Sequence, residues 1–187
     1  MFDDIRQQCV TMFDSMFPTT LHSWDASSFK HDKMAQFMPI ILEVNLTHLL
    51  PTALYRLCSV KGSDTVKYLK RRPDLLAQFM DGKLTLGLYW ARFVSQGLED
   101  ACSPDCCVAD WEAVISTAHM KGMESNALQD PLDALRAFKN NFDNFGICVE
   151  CKNFGRTWIS NFRKEIWTQL PQIFQIAEDW EKLKPAK

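Results

Sequence analysis

The chain has 187 residues, 47% of them apolar and 24% charged, which is enough to bury one sizeable core and excludes a disordered chain. Lys and Arg number 21 against 23 Asp and Glu, and a formal charge of −2 excludes a global pull toward nucleic acid or anionic membrane. No stretch approaches eighteen consecutive apolar residues, so no membrane-spanning helix is expected.

The opening Met1-Phe2-Asp3-Asp4-Ile5-Arg6 lacks the basic start and apolar run of an export signal, and a cytoplasmic or nuclear location is expected. Seven cysteines without an export signal then read as reduced thiols or metal ligands, because disulfides are rare in those compartments. Residues 2–17 place Phe2, Ile5, Cys9, Met12, Phe13 and Met16 at three- and four-residue steps, one apolar helical stripe that Pro18 ends. Cys9 on that stripe reads as a small buried hydrophobe. The stretch Phe17 to Ser28 is rich in turn formers and reads as an ordered loop with Leu21 and Trp24 packed down, and with His22 and His31 at the surface.

Pro39, in the first-turn position tolerated by helices, precedes Ile40, Ile41, Leu42, Val44 and Leu46, a segment apolar on nearly every side and expected to be deeply buried. A second helix restarts at Pro51 with Leu54, Leu57 and Cys58 inward, and His48 reads as a hydrogen-bonded junction residue. Gly62-Ser63-Asp64 is expected to break the chain. The one basic run, Lys67-Tyr68-Leu69-Lys70-Arg71-Arg72, reads as a solvated face, the alternative being a phosphate-backbone contact. After Pro73 the pattern predicts a short helix to Met80, a turn at Asp81-Gly82, and a central helix carrying Leu84, Leu88, Ala91, Val94 and Leu98 on one stripe with Tyr89, Trp90 and Phe93 beside it, aromatics whose helical spacing reads as core and not as a ligand box.

Ser103 followed by Pro104 is a helix start that continues through Val108, Trp111, Ile115 and Ala118, with Lys121 to Gln129 as a polar loop after it. Asp130-Pro131 opens another helix with Leu132, Leu135, Phe138 and Phe142 inward. Beyond Cys148 and Cys151 a last long helix carries Phe154, Trp158, Phe162, Ile166 and Leu170, and Pro171 kinks it or restarts it toward Ile173 and Trp180.

Cys148-Val149-Glu150-Cys151 has the two-residue spacing that turns both sulfurs toward one metal ion, and Cys102 with Cys107 (or Cys106) supplies a partner pair at another helix start. Four thiolates make a closed, structural zinc site, and the alternative is a set of reduced core thiols. No catalytic constellation is visible: His119 alone stands near the cysteines and reads as a helix-surface residue, and there is no Gly-rich phosphate loop, paired Glu/His helix motif or serine elbow.

Four pieces in order carry a resemblance: Phe17-Pro18-Thr19-Thr20-Leu21 with Trp24-Asp25, Leu49-Leu50-Pro51-Thr52-Ala53-Leu54-Tyr55, the two cysteine pairs, and Ile166 to Phe174 ahead of Trp180. Over nearly its whole length the chain resembles the C-terminal helical region of the BTB/POZ-domain proteins of mushroom-forming fungi. The resemblance implies a helical region similar in position to the BACK domain of BTB–Kelch adaptors, with Met1 to Phe17 like the closing helices of a BTB module whose core is absent. BTB dimerisation and cullin-type ligase binding run through that core, so neither is expected of this chain by itself.

The expectation is therefore an all-α chain, a single irregular domain of roughly eight or more helices. Within it, 1–30 form a closing helix and linker, 31–100 a first helical half and 101–187 a cysteine-containing half. Its expected work is non-catalytic recognition of a protein partner, as the partner-facing part of a BTB-type adaptor, with no membrane and no nucleic acid. The alternative is a zinc-stabilised nucleic-acid-associated regulator whose contact surface is the Lys67 to Arg72 face.

Overall fold

The computed structural model describes residues 2–27, 35–60, 62–99, 108–124 and 128–183. Among them every regular element is helical and there is no strand, as the 3.6-residue periodicity of the sequence requires. The α-helices are α1 (Phe2–Met16), α2 (Leu21–Ala26), α3 (Met38–Glu43), α4 (Leu50–Cys58), α5 (Gly62–Leu69), α6 (Pro73–Glu99), α7 (Val108–Glu124), α8 (Pro131–Asn140) and α9 (Val149–Ile173). The chain forms two compact units: residues 1–83 together with 167–187, and residues 84–166. Helices α6 and α9 each contribute to both.

The first unit is built on α4, whose nine residues are all buried. Its Thr52 hydroxyl donates to the Pro18 carbonyl at 2.8 Å, which fixes the chain leaving α1. Tyr55 lies edge-on to Trp24, ring centroids 5.3 Å apart, and Trp24 also meets Trp167 at 5.6 Å. Trp167 donates its indole N–H to the Thr19 carbonyl at 3.3 Å, stacks on Trp180, and accepts from the Trp180 indole at its own carbonyl, 2.9 Å. Arg56 is only 2% exposed; its guanidinium sits 4.2 Å above the Trp24 ring and donates to the Ser27 hydroxyl at 3.1 Å. A desolvated cation over an indole face gains about 2 kcal/mol, which offsets part of its burial.

The second unit has an aromatic core. Phe93 of α6 stacks on Trp158 of α9 at 4.2 Å and meets Phe138 of α8 and Phe162 edge-on, while Trp111 of α7 packs against Phe142. Helix α8 starts as the sequence predicts, with the Asp130 carboxylate accepting from the Asp133 N–H and Pro131 in the first turn, and Leu132, Leu135 and Phe138 buried. Arg163, also buried, donates from Nε to the Leu132 carbonyl at 3.0 Å.

Several expectations are corrected. Residues 21–26 are a helix capped by the Thr20 hydroxyl, not a loop, although Trp24 does pack down. Cys9 is exposed, as is Met12, while Phe13 and Met16 of the same stripe are buried; the Phe2 and Ile5 side chains lie outside the described residues. Helix α3 buries Met38 and Ile41 but leaves Ile40 and Val44 in solvent, a single inward face. Gly62 begins α5 instead of breaking the chain.

Asp81-Gly82 is no turn, because α6 runs unbroken through it. A Cβ on Gly82 would lie within 2.6 Å of Phe174 Cε1, so this glycine answers a close ring approach, not a need for a bend. Of the stripe named for α6, Leu84, Leu88 and Ala91 point to solvent; the aromatics Trp90 and Phe93, read as core beside it, are buried together with Leu86. Helix α7 extends over Lys121–Glu124, where a loop was expected; 125–127 lie outside the described residues.

After Pro171 no fresh α-helix starts among the described residues, only the 3-10 turn Glu181–Leu183. Helix α9 ends at Ile173, and Gln175, at φ 54°, closes it by the two bonds of a Schellman motif, Ile176 N–H to Pro171 O at 2.8 Å and Gln175 N–H to Gln172 O at 2.9 Å. Asn45, at φ 59°, closes α3 in the same way.

Candidate functional site

Of the named zinc ligands, Cys148 and Cys151 are described, whereas Cys102, Cys106 and Cys107 lie outside the described residues. Cys148 stands immediately before α9 and its Sγ accepts the Cys151 N–H at 3.4 Å, the arrangement of a capping side chain. Cys148 is half-buried and Cys151 fully buried, and the two residues share one turn at a helix N-terminus, where the partial positive charge favours thiolate. Among the described residues no group of three or more His, Cys, Asp or Glu side chains could hold a metal ion. Cys58 is buried, its Sγ directed at the Leu54 carbonyl at 3.5 Å, and reads as a core residue.

The basic run occupies the last turn of α5 and the link into α6. Lys67, Lys70, Arg71 and Arg72 are exposed and line a cavity of about 510 Å³, to which Tyr68 contributes a half-buried ring. Pro39 and Leu42 of α3 form its apolar side and Glu43 its one carboxylate. Arg72 is held by Asp74, with Nη2 to Oδ2 at 2.7 Å and Nε to Oδ1 at 3.1 Å. That hydrogen bond lowers the Asp74 carboxyl to about 2 and raises the guanidinium. Lys67, Lys70 and Arg71 form no ion pair among the described residues.

The third feature is the outward face of α6. Leu84 and Leu88 are 70% and 69% exposed, one turn apart, with Ala91 exposed one turn further on. Leu128, 51% exposed, borders them: its carbonyl stands 3.9 Å from where a Cβ on Gly87 would be. Isolated surface leucines are ordinary, but a row of them on one helix face with a fourth apolar neighbour is a contiguous patch.

His48 donates from Nε2 to the Asp14 carboxylate at 3.0 Å, the junction role read from the sequence, and His22 is exposed. His31 and the His119 side chain lie outside the described residues. Among the described residues no helix is long and apolar enough to cross a membrane. Sequence reasoning missed the buried Arg56 and Arg163, which carry no signal in a pattern that counts arginine as polar. It also missed the leucine patch, because the pattern assigned those residues to the core. Comparison with family models, curated proteins and solved structures finds no match to this chain.

Proposed function

We propose that the chain is a non-catalytic protein–protein recognition module, the partner-facing part of a BTB-type adaptor. One observation carries the recognition reading, the outward row of Leu84, Leu88 and Ala91 with Leu128 beside it. Fully burying a leucine is worth about 1.5–3 kcal/mol, so the row offers a partner several kcal/mol that this chain leaves unused. The occupant that fits is an apolar helix: anchors at four- and three-residue steps match a helix-on-helix contact. The adaptor half of the proposal rests on the sequence resemblance alone. A photo-cross-linking residue at position 84 or 88 should yield a discrete protein adduct in cells, and the same residue at exposed Asn161 none. Adducts of equal pattern from all three positions would reject the reading.

Zinc belongs to the same proposal as a structural element: Cys102, Cys107 (or Cys106), Cys148 and Cys151 as an all-thiolate site. The position of Cys148 and Cys151 within one turn at the start of α9 supports it. Protein purified under reducing conditions should carry one zinc per chain, chelation should lower the melting transition while leaving the helices formed, and Cys151→Ser should do the same. Cys9→Ser should leave metal content intact. Stoichiometric analysis finding no zinc, and no uptake, would leave core thiols as the account.

The second reading, a nucleic-acid-associated regulator, is favoured by the convergence of Lys67, Lys70 and Arg71 on one cavity. Oligonucleotide binding that weakens steeply with salt is its signature.

A further inference from the structure

We infer that the cavity between α3 and the end of α5 is a docking site for an acidic peptide segment that carries an apolar residue. This deepens the recognition reading by giving a partner's chemistry at a second surface, and it does not depend on the leucine patch. Three cations, Lys67, Lys70 and Arg71, face the cavity without an ion pair among the described residues, against the single carboxylate of Glu43. The fourth, Arg72, is occupied by Asp74 and serves to hold the link in place. Exposed cations are usually no more than a solvated face. Here they stand around a recess of about 510 Å³ whose other side is apolar, so a ligand entering it meets charge and hydrocarbon together.

The recess selects a peptide over a nucleic acid on three grounds. Its volume suits one apolar side chain with flanking carboxylates, not a strand of stacked bases. Its only aromatic ring, Tyr68, is half-buried and already has the Lys67 ammonium 5.9 Å from its centroid, so it is no stacking platform. The chain as a whole carries −2, which repels a long polyanion while a short segment feels mainly the local field. Lysine and arginine heads reach carboxylates through charge-assisted hydrogen bonds, and Leu42 and Pro39 receive the apolar residue between them.

The test is fluorescence anisotropy of a labelled Asp-Glu-Leu-Glu-Asp peptide titrated with the full chain at low salt. The expected result is saturable binding that weakens as salt rises, is absent for the Asn-Gln-Leu-Gln-Asn peptide, and weakens when the leucine is replaced by asparagine. The Lys70→Glu, Arg71→Glu double variant, at two exposed positions, should lose about tenfold or more in affinity with its melting transition unchanged. Lys164→Glu, an exposed cation on α9, should bind as the parent does, and so should Leu84→Glu, Leu88→Glu, which separates this site from the patch. The proposal is overturned if the acidic peptide does not bind, if the double variant binds it equally well, or if oligo-dT binds more tightly and is lost in that variant.

Discussion

At Gly82 a single hydrogen stands where any side chain would meet the Phe174 ring, and Gly155 is under the same constraint from Phe142 and from Trp111 Cη2 at 2.9 Å. Both lie inside helices, where alanine is intrinsically better by about 1 kcal/mol. Overpacking of about 1–3 kcal/mol exceeds that gain. Gly82→Ala and Gly155→Ala should therefore destabilise in urea, while Gly87→Ala, with nothing nearer than 3.9 Å, should be neutral or stabilising. A uniform gain at all three would refute the close approaches. Tyr89 gives a pH prediction. Burial, then the Glu165 carboxylate, raise its phenol above the ordinary 10.0. The folded state thus holds the proton to higher pH than the unfolded chain. Its contribution is fully present below the unfolded value and is lost as pH rises through the folded one. Tyr89→Phe should flatten that alkaline loss, and a late-ionising phenol present in the parent's ultraviolet titration should be missing from that variant's. Little of this is legible in the sequence, because a glycine in a helix looks like a break and a buried arginine looks like surface until the ring beside it is seen.

Helix existence was far more legible than helix orientation. The Asp130-Pro131 start, the inward Leu132, Leu135 and Phe138, and the long helix behind Cys148 all follow from local chemistry, since caps and periodicity act within a few residues. Helix α6 was misread because it carries two apolar faces. The sequence offers the aliphatic row of Leu84, Leu88 and Ala91 and the aromatic row of Leu86, Trp90 and Phe93 on equal terms, and only packing decides between them. The aromatic row is buried, and large rings remove more area from water. Leu86→Ala should accordingly cost about 2–5 kcal/mol, whereas Leu84→Gln should stay within about 0.5 kcal/mol. Equal costs in chemical denaturation would contradict the assigned faces. Pro171 shows the opposite limit: its last-turn position and the left-handed Gln175 end α9 together, and a left-handed glutamine has no sequence signature.

On the scale of the whole molecule, three of the four segments that carry the sequence resemblance interlock in the first unit. Pro18 accepts from Thr52, Thr19 from Trp167, and Trp24 lies between Tyr55 and Trp167. Those motifs hold a core together, so they speak to fold and leave recognition to surfaces elsewhere. That residues 167–187 join residues 1–83 was not visible in a linear reading, because nothing local in the sequence marks a contact across more than a hundred residues. The composition gives no global pull toward a polyanion, and the basic cavity is a local exception within an acidic balance. On the proposed reading, the outward leucine row is where a protein partner docks. The most direct measurement is the binding isotherm of the cross-linked partner, once isolated, with the parent chain and with Leu84→Glu, Leu88→Glu. The account predicts a loss of about a hundredfold or more, two buried leucine anchors' worth, with an unchanged melting transition. An isotherm unaltered by the double substitution would contradict it.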